Sequence, residues 1–424
     1  MIAAPALDSP GCGCDSKPGT GALIGLDDAL AIIAGQTHPV ASPVTLPLSQ
    51  VTGRVLAAPV TARAMAPPFD NAAMDGYALR CADLRGAGPW VLTVAGRVPA
   101  GQDAPPLPGG MVLRVFTGAP LPSDADAVVM QEAVRREGET VWLDHRPFPG
   151  QNIRRAGEDM AAGATVLKAG QRLDARAIAA CAAAGQSKIS VRRAIRVALL
   201  VTGDEVRQPD EALGIAGIRD VNTPMLRAAL ARPDVSLIKV TQAADERQRL
   251  ANDLAALGKE VDLIVTTGGI SVGEEDHVKP ALAMAGGEIA FSGVALKPGK
   301  PVSFGRIGGA SWLGLPGNPV SAFVTWQVFG TALLDRLRGA LPRRRFHRAV
   351  LENGISRKPG RCELRPACLD GRDNAGRDVV RCGRATHSAR VATLAACDGL
   401  IRLPSDMAGL PSGSLLDFFP FDDT

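Results

Sequence analysis

Aromatic side chains are scarce, at 4% of the 424 residues with a single tyrosine, so Ala, Val, Leu and Ile must fill the cores. Charge of one sign is also missing as a dominant feature. Forty-seven Lys and Arg face 43 Asp and Glu, for a net charge of +4. No basic stripe with interleaved aromatics occurs, which excludes the usual nucleic-acid interface. The densest basic run, Arg343-Arg344-Arg345 with Arg348, follows a proline and is expected to be a solvated linker. No apolar run reaches the ~18 residues needed to cross a bilayer. The start lacks a secretory charged-then-apolar pattern. The eight cysteines (Cys12, Cys14, Cys81, Cys181, Cys362, Cys368, Cys382, Cys397) are scattered, and a reducing cytoplasm is expected. Cys12-Gly-Cys14 has no second Cys pair or nearby His to complete a zinc site. The five histidines do not cluster, so no Ser-His-Asp or Cys-His nucleophile is indicated.

What is present is a succession of patterns. Residues 1–20 are rich in Gly, Pro and Ser and are expected to be a disordered leader. A short Asp-capped helix is expected over 26–35. From about 44 to 150, short apolar runs such as WVLTVAGRV and MVLRVFTGA alternate with Gly/Pro clusters, a β-rich pattern. Helical character returns at 174–184. Residues 194–337 alternate strand and helix, which argues for a parallel sheet covered on both faces. In this stretch Asp245 is expected to cap one helix, and another is expected from Asp276 to Ala285. The last 80 or so residues read as short strands with turns, a small β-barrel or sandwich.

In an open α/β sheet, ligands bind beyond the carboxyl ends of the strands. Four strands there run into polar, glycine-bearing loops: Thr202-Gly203-Asp204-Glu205, Thr266 to Asp276, Lys297-Pro298-Gly299-Lys300-Pro301, and Pro316-Gly317-Asn318-Pro319. Glycines let backbone N–H groups approach an oxyanion, and a following helix N-terminus adds positive potential. Two lysines on a proline-stiffened loop suit a dianion. Glu205 and Asp276 are candidates to share a Mg²⁺. These loops are expected to form one composite pocket for an anion and a divalent cation. Neither a Walker A loop nor G-x-G-x-x-G is present, so neither an ATPase nor a dehydrogenase is indicated.

One stretch stands apart from this logic. PPFDNAAMDGYAL, residues 67–79, puts two carboxylates and the only tyrosine in a loop opened by Pro67-Pro68. Together with RVFTGAPLPSDADAVVMQE and GQNIRRAGEDMAAGATVLKAGQRL it resembles the N-terminal half of the MoeA/gephyrin-E family, the molybdopterin molybdenumtransferases. TTGGISVGEED, ALKPGKPVSFG and GLPGNPVSAF resemble that family's molybdopterin-binding sheet domain. The resemblance runs in order from about 25 to 335 and continues more weakly to the C-terminus.

The resemblance implies a multidomain α/β and β architecture, elongated, with a MogA-like three-layer α/β domain. The expected units are a linking domain of 21–60 plus 150–193, a β-rich domain of 61–149, the α/β domain of 194–340 and a C-terminal β-barrel of 341–424. It implies a soluble cytoplasmic homodimer that inserts molybdate into adenylylated molybdopterin, releasing AMP with Mg²⁺. Expected partners are an upstream molybdopterin adenylyltransferase and downstream molybdoenzymes or their chaperones. Asp75 and Thr117 match positions that project into the other subunit's site, and Pro67-Pro68 would hold that loop rigid. Glu205 and Asp276 match the acidic, metal-associated positions. Gly268, Gly269, Ser271 and Gly273 match the phosphate- and pterin-contacting loop, with Pro316 and Asn318 beside it. Lys297, Lys300 and Pro301 match the loop that forms the molybdate site with an Arg and a Ser of the last domain, here Arg361 and Ser388. Asp220 and Asn222 match a segment beside the pocket, and Asp245 aligns with another acidic position.

Two departures stand out. Gly293 replaces a lysine of many members, and Thr386-His387-Ser388-Ala389 replaces a motif closer to Gln-Gly-Ser-Gly. Three rival readings share the sheet domain or the family: a molybdopterin adenylyltransferase, a non-catalytic carrier or scaffold, and a tungstate-tuned homologue. Residues 61–190 argue against the adenylyltransferase.

Overall fold

The computed structural model describes residues 23–40, 42–244, 246–271, 273, 276–342, 345–383 and 390–421. The leader with Cys12 and Cys14, together with Asp245 and Ser388, lies outside the described residues.

The 195–337 stretch builds a six-stranded sheet. Its order is Val235–Ala243, Ile195–Thr202, Leu263–Thr267, Ala310–Leu315, Ser303–Ile307 and Glu288–Ser292. The first four strands are parallel, and the last two run antiparallel to their neighbours. The expected all-parallel sheet is therefore a mixed one. Only Gly308 and Gly309 join Ser303–Ile307 to Ala310–Leu315, and so short a link permits a hairpin but no crossover. Ile195–Thr202 and Leu263–Thr267 are almost fully buried, as continuous apolar runs in a doubly covered sheet must be. One face packs under the helices Arg247–Glu260 and Val278–Met284 around Trp312. The other packs under Leu26–Gln36, Asn222–Leu230 and the helical run from Pro319 to Leu337.

One helix cap and one helix boundary differ from the sequence reading. Leu26–Gln36 begins at Leu26 as expected, but its N-cap is Gly25 and no side chain caps it. Asp27 instead accepts two hydrogen bonds from Arg402, at 3.1 and 2.6 Å, tying this helix to the C-terminal unit. The helix expected from Asp276 begins only at Val278. The Asp276 carboxylate accepts from the Gly273 amide at 2.5 Å, so it closes the preceding loop instead of opening the helix. Asp174 does cap its helix, Ala175–Ala183, accepting from the Ala177 amide at 2.9 Å.

That helix packs on two strand pairs. Pro43–Pro47 lies along Lys188–Arg192, and Val60–Thr61 along Thr165–Leu167, so distant segments of the sequence share one small core. The β-rich stretch forms a second six-stranded sheet, in which Gly76–Leu79 sits between Met111–Val115 and Ala127–Met130. At the C-terminal end, Cys362–Arg372, Asp378–Cys382, His347–Leu351, Leu415–Pro420 and Gly399–Leu403 close into a five-stranded barrel through pairing of the first with the last. The barrel shares the largest hydrophobic core with the α/β unit through Cys362, Leu364, Leu400 and Phe419. The basic run at 343–348 is not simply a solvated linker. Arg345 bonds to Thr331 and Asp335, and Arg348 pairs with Asp417 at 3.1 Å.

Candidate active site

A cavity of about 450 Å³ opens at the carboxyl ends of the parallel strands. It is built by the ends of Ile195–Thr202, Leu263–Thr267 and Ala310–Leu315, the region where such sheets bind ligands. Glu205, Gly268, Gly269, Ser271, Asp276, Pro301, Pro316 and Asn318 all line it.

The close approach of these loops explains the glycines. Gly268 has φ +92°, and a Cβ there would lie 2.7 Å from both the carbonyl oxygen and Oγ1 of Thr202. Gly269 has φ +59°, with Thr202 Oγ1 at 3.1 Å from its Cβ position. Only glycine combines this left-handed backbone with such contact.

Asn222, beside the pocket, staples the loops together. Its Nδ2 donates to Thr267 Oγ1 at 2.9 Å and to the Gly317 carbonyl at 2.7 Å. Thr267 Oγ1 in turn donates to the Pro316 carbonyl at 3.0 Å. Asp220, just ahead of the Asn222–Leu230 helix, accepts from the Thr223 amide at 2.9 Å. Thr202 was not singled out among the candidates above. Its Oγ1 is buried without a hydrogen bond, as is Asn222 Oδ1, and both residues line the cavity. The sequence signal for Thr202 was its place as the last residue of a strand, before a glycine.

The remaining candidates fall in two other places. Lys297 belongs to the two-residue strand Leu296–Lys297, which pairs in parallel with Cys362 and Glu363 of the barrel. Arg361 donates to the Leu296 carbonyl at 3.2 Å. Lys297 and Arg361 therefore share the seam between the α/β unit and the barrel. From the Lys297–Pro301 loop, only Pro301 reaches the cavity lining. Asp75 and Thr117 lie in the β-rich unit, and neither lines the cavity of their own chain. Asp75 Oδ1 accepts from the Thr117 amide and from Thr117 Oγ1, each at 2.8 Å. The amide bond, then the hydroxyl bond, hold the Asp75 carboxyl below its ordinary range, helped by nearby Arg114. Arg114 itself donates to the Gly76 carbonyl at 3.1 Å.

The departure at Gly293 has a local cause. Gly293 has φ +95°, and a Cβ would meet Leu23 at 2.8 Å. A lysine would be strained here regardless of its charge.

The donor set can be judged chemically. Glu205 and Asp276 face one cavity with the unpartnered oxygens of Thr202 and Asn222. All are hard oxygen donors, the type Mg²⁺ prefers. Among the described residues, no three His, Cys, Asp or Glu side chains converge as a closed cage. The set fits an ion that keeps waters or substrate oxygens in its shell.

A closed barrel, a β-rich sheet and a doubly covered α/β sheet with a polar, glycine-bearing rim define a multidomain α/β and β protein with a ligand-type pocket at the sheet rim. Three family models match in order: "MoeA N-terminal region (domain I and II)" over 24–185, "Probable molybdopterin binding domain" over 198–336, and "MoeA C-terminal region (domain IV)" over 348–421. A Mycobacterium tuberculosis protein named molybdopterin molybdenumtransferase 2 is 37% identical over 384 residues, 88% of this chain and 94% of that protein. A Haemophilus influenzae molybdopterin molybdenumtransferase is 36% identical over 296 residues, 69% of this chain and 72% of that protein. A molybdopterin biosynthesis MoeA protein from Pyrococcus horikoshii superposes with TM-score 0.79 at 28% identity, covering 94% of this chain and 100% of that one. The chain belongs to the molybdopterin molybdenumtransferase (MoeA) family, a family of transferases. No described helix is long and apolar enough to cross a membrane.

Proposed function

We propose that this chain inserts molybdate into adenylylated molybdopterin and releases AMP with Mg²⁺, as a homodimer in the cytoplasm. The observation that carries this reading is the cavity in which two carboxylates, an N–H-rich glycine turn and the Asn318 loop face one another. The names of the relatives supply the substrate class.

In this reading the Gly268–Gly273 turn receives the anhydride phosphate on backbone N–H groups, and Asn222 keeps that turn and the Gly317 loop at a fixed spacing. Glu205 and Asp276 would hold Mg²⁺, which would supply neutralisation of phosphate charge and polarisation of the bond to be broken. Lys297 and Arg361, on the seam with the barrel, and Lys300 of the Lys297–Pro301 loop attract the tetrahedral molybdate dianion, and the guanidinium fork orients it. Ser388 is proposed as a further molybdate contact. Asp75 and Thr117 serve the partner subunit's pocket. With its carboxyl held ionised by Thr117, Asp75 accepts a hydrogen bond from water or from a protonated oxyanion there. The substrate arrives from an adenylyltransferase, and the product leaves to molybdoenzymes or their chaperones.

The test is AMP release by the purified protein from adenylylated molybdopterin and Mg²⁺, with and without molybdate. AMP appearing only with molybdate, together with reconstitution of a cofactor-free molybdoenzyme, is the expected result. Tight nucleotide binding without release would refute the catalytic reading and favour a carrier.

A further inference from the structure

Three of the cysteines that lie scattered along the sequence come together in the C-terminal barrel. Cys368 lies on Cys362–Arg372, Cys382 ends the neighbouring strand Asp378–Cys382, and Cys397 leads into Gly399–Leu403. Cys382 is buried, whereas Cys368 and Cys397 are partly exposed. The sulfurs of Cys368 and Cys397 stand 4.0 Å apart.

Backbone bonds hold this approach in place. The Asp398 amide donates to the Ala367 carbonyl at 3.0 Å, and the Leu369 amide donates to Asp398 Oδ2 at 2.7 Å. Both residues flanking Cys368 are thus tied to the residue after Cys397. Both thiols are free, and each donates to a carbonyl: Cys368 to Ala396 at 3.0 Å, Cys397 to Thr393 at 3.1 Å. A thiol is a weak donor, so little is lost when a sulfur turns toward its neighbour. A disulfide needs its sulfurs about 2.05 Å apart, a closure that rotation about the side-chain bonds supplies without moving the tied strands. Among the described residues, no three His, Cys, Asp or Glu side chains form a metal cage, so the pair reads as a dithiol and not as a metal centre.

The geometry points to a reversible oxidation site: Cys368 and Cys397 close to a disulfide, by exchange with a small disulfide RSSR of the glutathione type, and the new bond staples the barrel. The Cys368 thiolate attacks one sulfur of RSSR and releases RS⁻, leaving Cys368 as a mixed disulfide. The Cys397 thiolate then attacks the Cys368 sulfur, breaks the mixed bond and releases a second RS⁻. The two thiol protons pass to the two RS⁻, so the protein loses two electrons and two protons while RSSR becomes two RSH. The surroundings set this order. Burial, with Cys368 close by, pushes the Cys397 thiol up to about 12, which disfavours it as the first attacker. Capped as a mixed disulfide, Cys368 carries no negative charge, and its opposition to a Cys397 thiolate is gone. The closed bond links Cys362–Arg372 to the entry of Gly399–Leu403, the pairing through which the barrel closes.

The experiment is thiol labelling with peptide mapping of the full chain, equilibrated in mixtures of reduced and oxidised glutathione and quenched in denaturant. As the oxidised fraction rises, labelling at Cys368 and Cys397 should be lost together, the chain should lose the mass of two hydrogens, and one peptide should join the two residues. Dithiothreitol should restore both thiols. The oxidised chain should unfold at a higher temperature than the reduced one, because the cross-link restricts the unfolded barrel. Cys397→Ser should stop at the mixed disulfide, with one RS group on Cys368. Cys382→Ser should close as the unaltered chain does; if that variant does not fold, the map of the unaltered chain decides by itself which thiols pair. The inference is overturned if no Cys368–Cys397 peptide forms in oxidised glutathione, if Cys382 replaces either partner, if Cys397→Ser still loses two thiols, or if oxidation leaves the unfolding temperature unchanged.

Discussion

Replacing Asn222 with alanine should loosen the candidate site from within while leaving its carboxylates untouched. Asn222 is 8% exposed, and its Nδ2 bonds two different loops, at 2.9 Å to Thr267 Oγ1 and 2.7 Å to the Gly317 carbonyl. Thr267 keeps its own donation to Pro316, so its hydroxyl loses one neutral bond of about 1 kcal/mol. The Gly317 carbonyl loses a buried donor, at about 1–3 kcal/mol. The two together predict a destabilisation of about 2–4 kcal/mol, confined to the α/β unit. Urea unfolding followed by fluorescence reports on this unit through Trp312, which is fully buried there. Hydrogen exchange should show faster opening at 267–269 and at 317. A stability loss under about 0.5 kcal/mol, the range of an ordinary surface change, with unchanged exchange would refute the staple. The companion Asn222→Asp should be worse than alanine at neutral pH, because a carboxylate facing the Gly317 carbonyl cannot donate.

Gly268→Ala should cost about 1–3 kcal/mol in backbone strain alone, and more because the new Cβ meets the Thr202 backbone; wild-type nucleotide affinity in that variant would refute the close-packed turn. Asp262, 8% exposed, is pushed up by burial but held down to about 2 by hydrogen bonds from Arg193 and Arg196 and from the Arg196 amide. From its ordinary 3.8, that depression contributes roughly 2 kcal/mol, fully present above about pH 4 and lost as pH falls toward 2; in Asp262→Asn this acid-dependent increment should vanish from the stability-versus-pH curve. Asp276→Ala should abolish Mg²⁺-dependent AMP release with little change in unfolding, and unchanged turnover would sink its metal role. Mixing Asp75→Asn with Lys297→Ala subunits should partly restore activity in heterodimers; absence of complementation despite subunit exchange would show that Asp75 does not serve its partner's pocket.

Much of this molecule is legible one segment at a time. The strand ends that carry Gly268, Gly269 and Asn318 are readable because a buried parallel strand must be a short apolar run, and the chain after it must turn. The Asp174 cap is readable because the acceptor and its donor are three residues apart. An Asp cap was expected on the 26–35 helix and a helix start at Asp276, yet the Asp27 and Asp276 carboxylates each found a different partner. Arg402, 375 residues away, takes the first, and the Gly273 amide takes the second. The antiparallel edge of the sheet was hidden in a two-glycine link whose meaning depends on strand order.

The sequence by itself determined the order of units, the glycine-bearing rim and the acidic and basic residues that populate it, because these follow from local backbone freedom and short-range periodicity. Only the tertiary structure decided that Asn222 ties Thr267 to Gly317, that Lys297 and Arg361 meet on the barrel seam, and that Arg338 pairs with buried Asp234. Those contacts join residues tens to hundreds of positions apart, and their geometry exists only once separate cores have packed against one another.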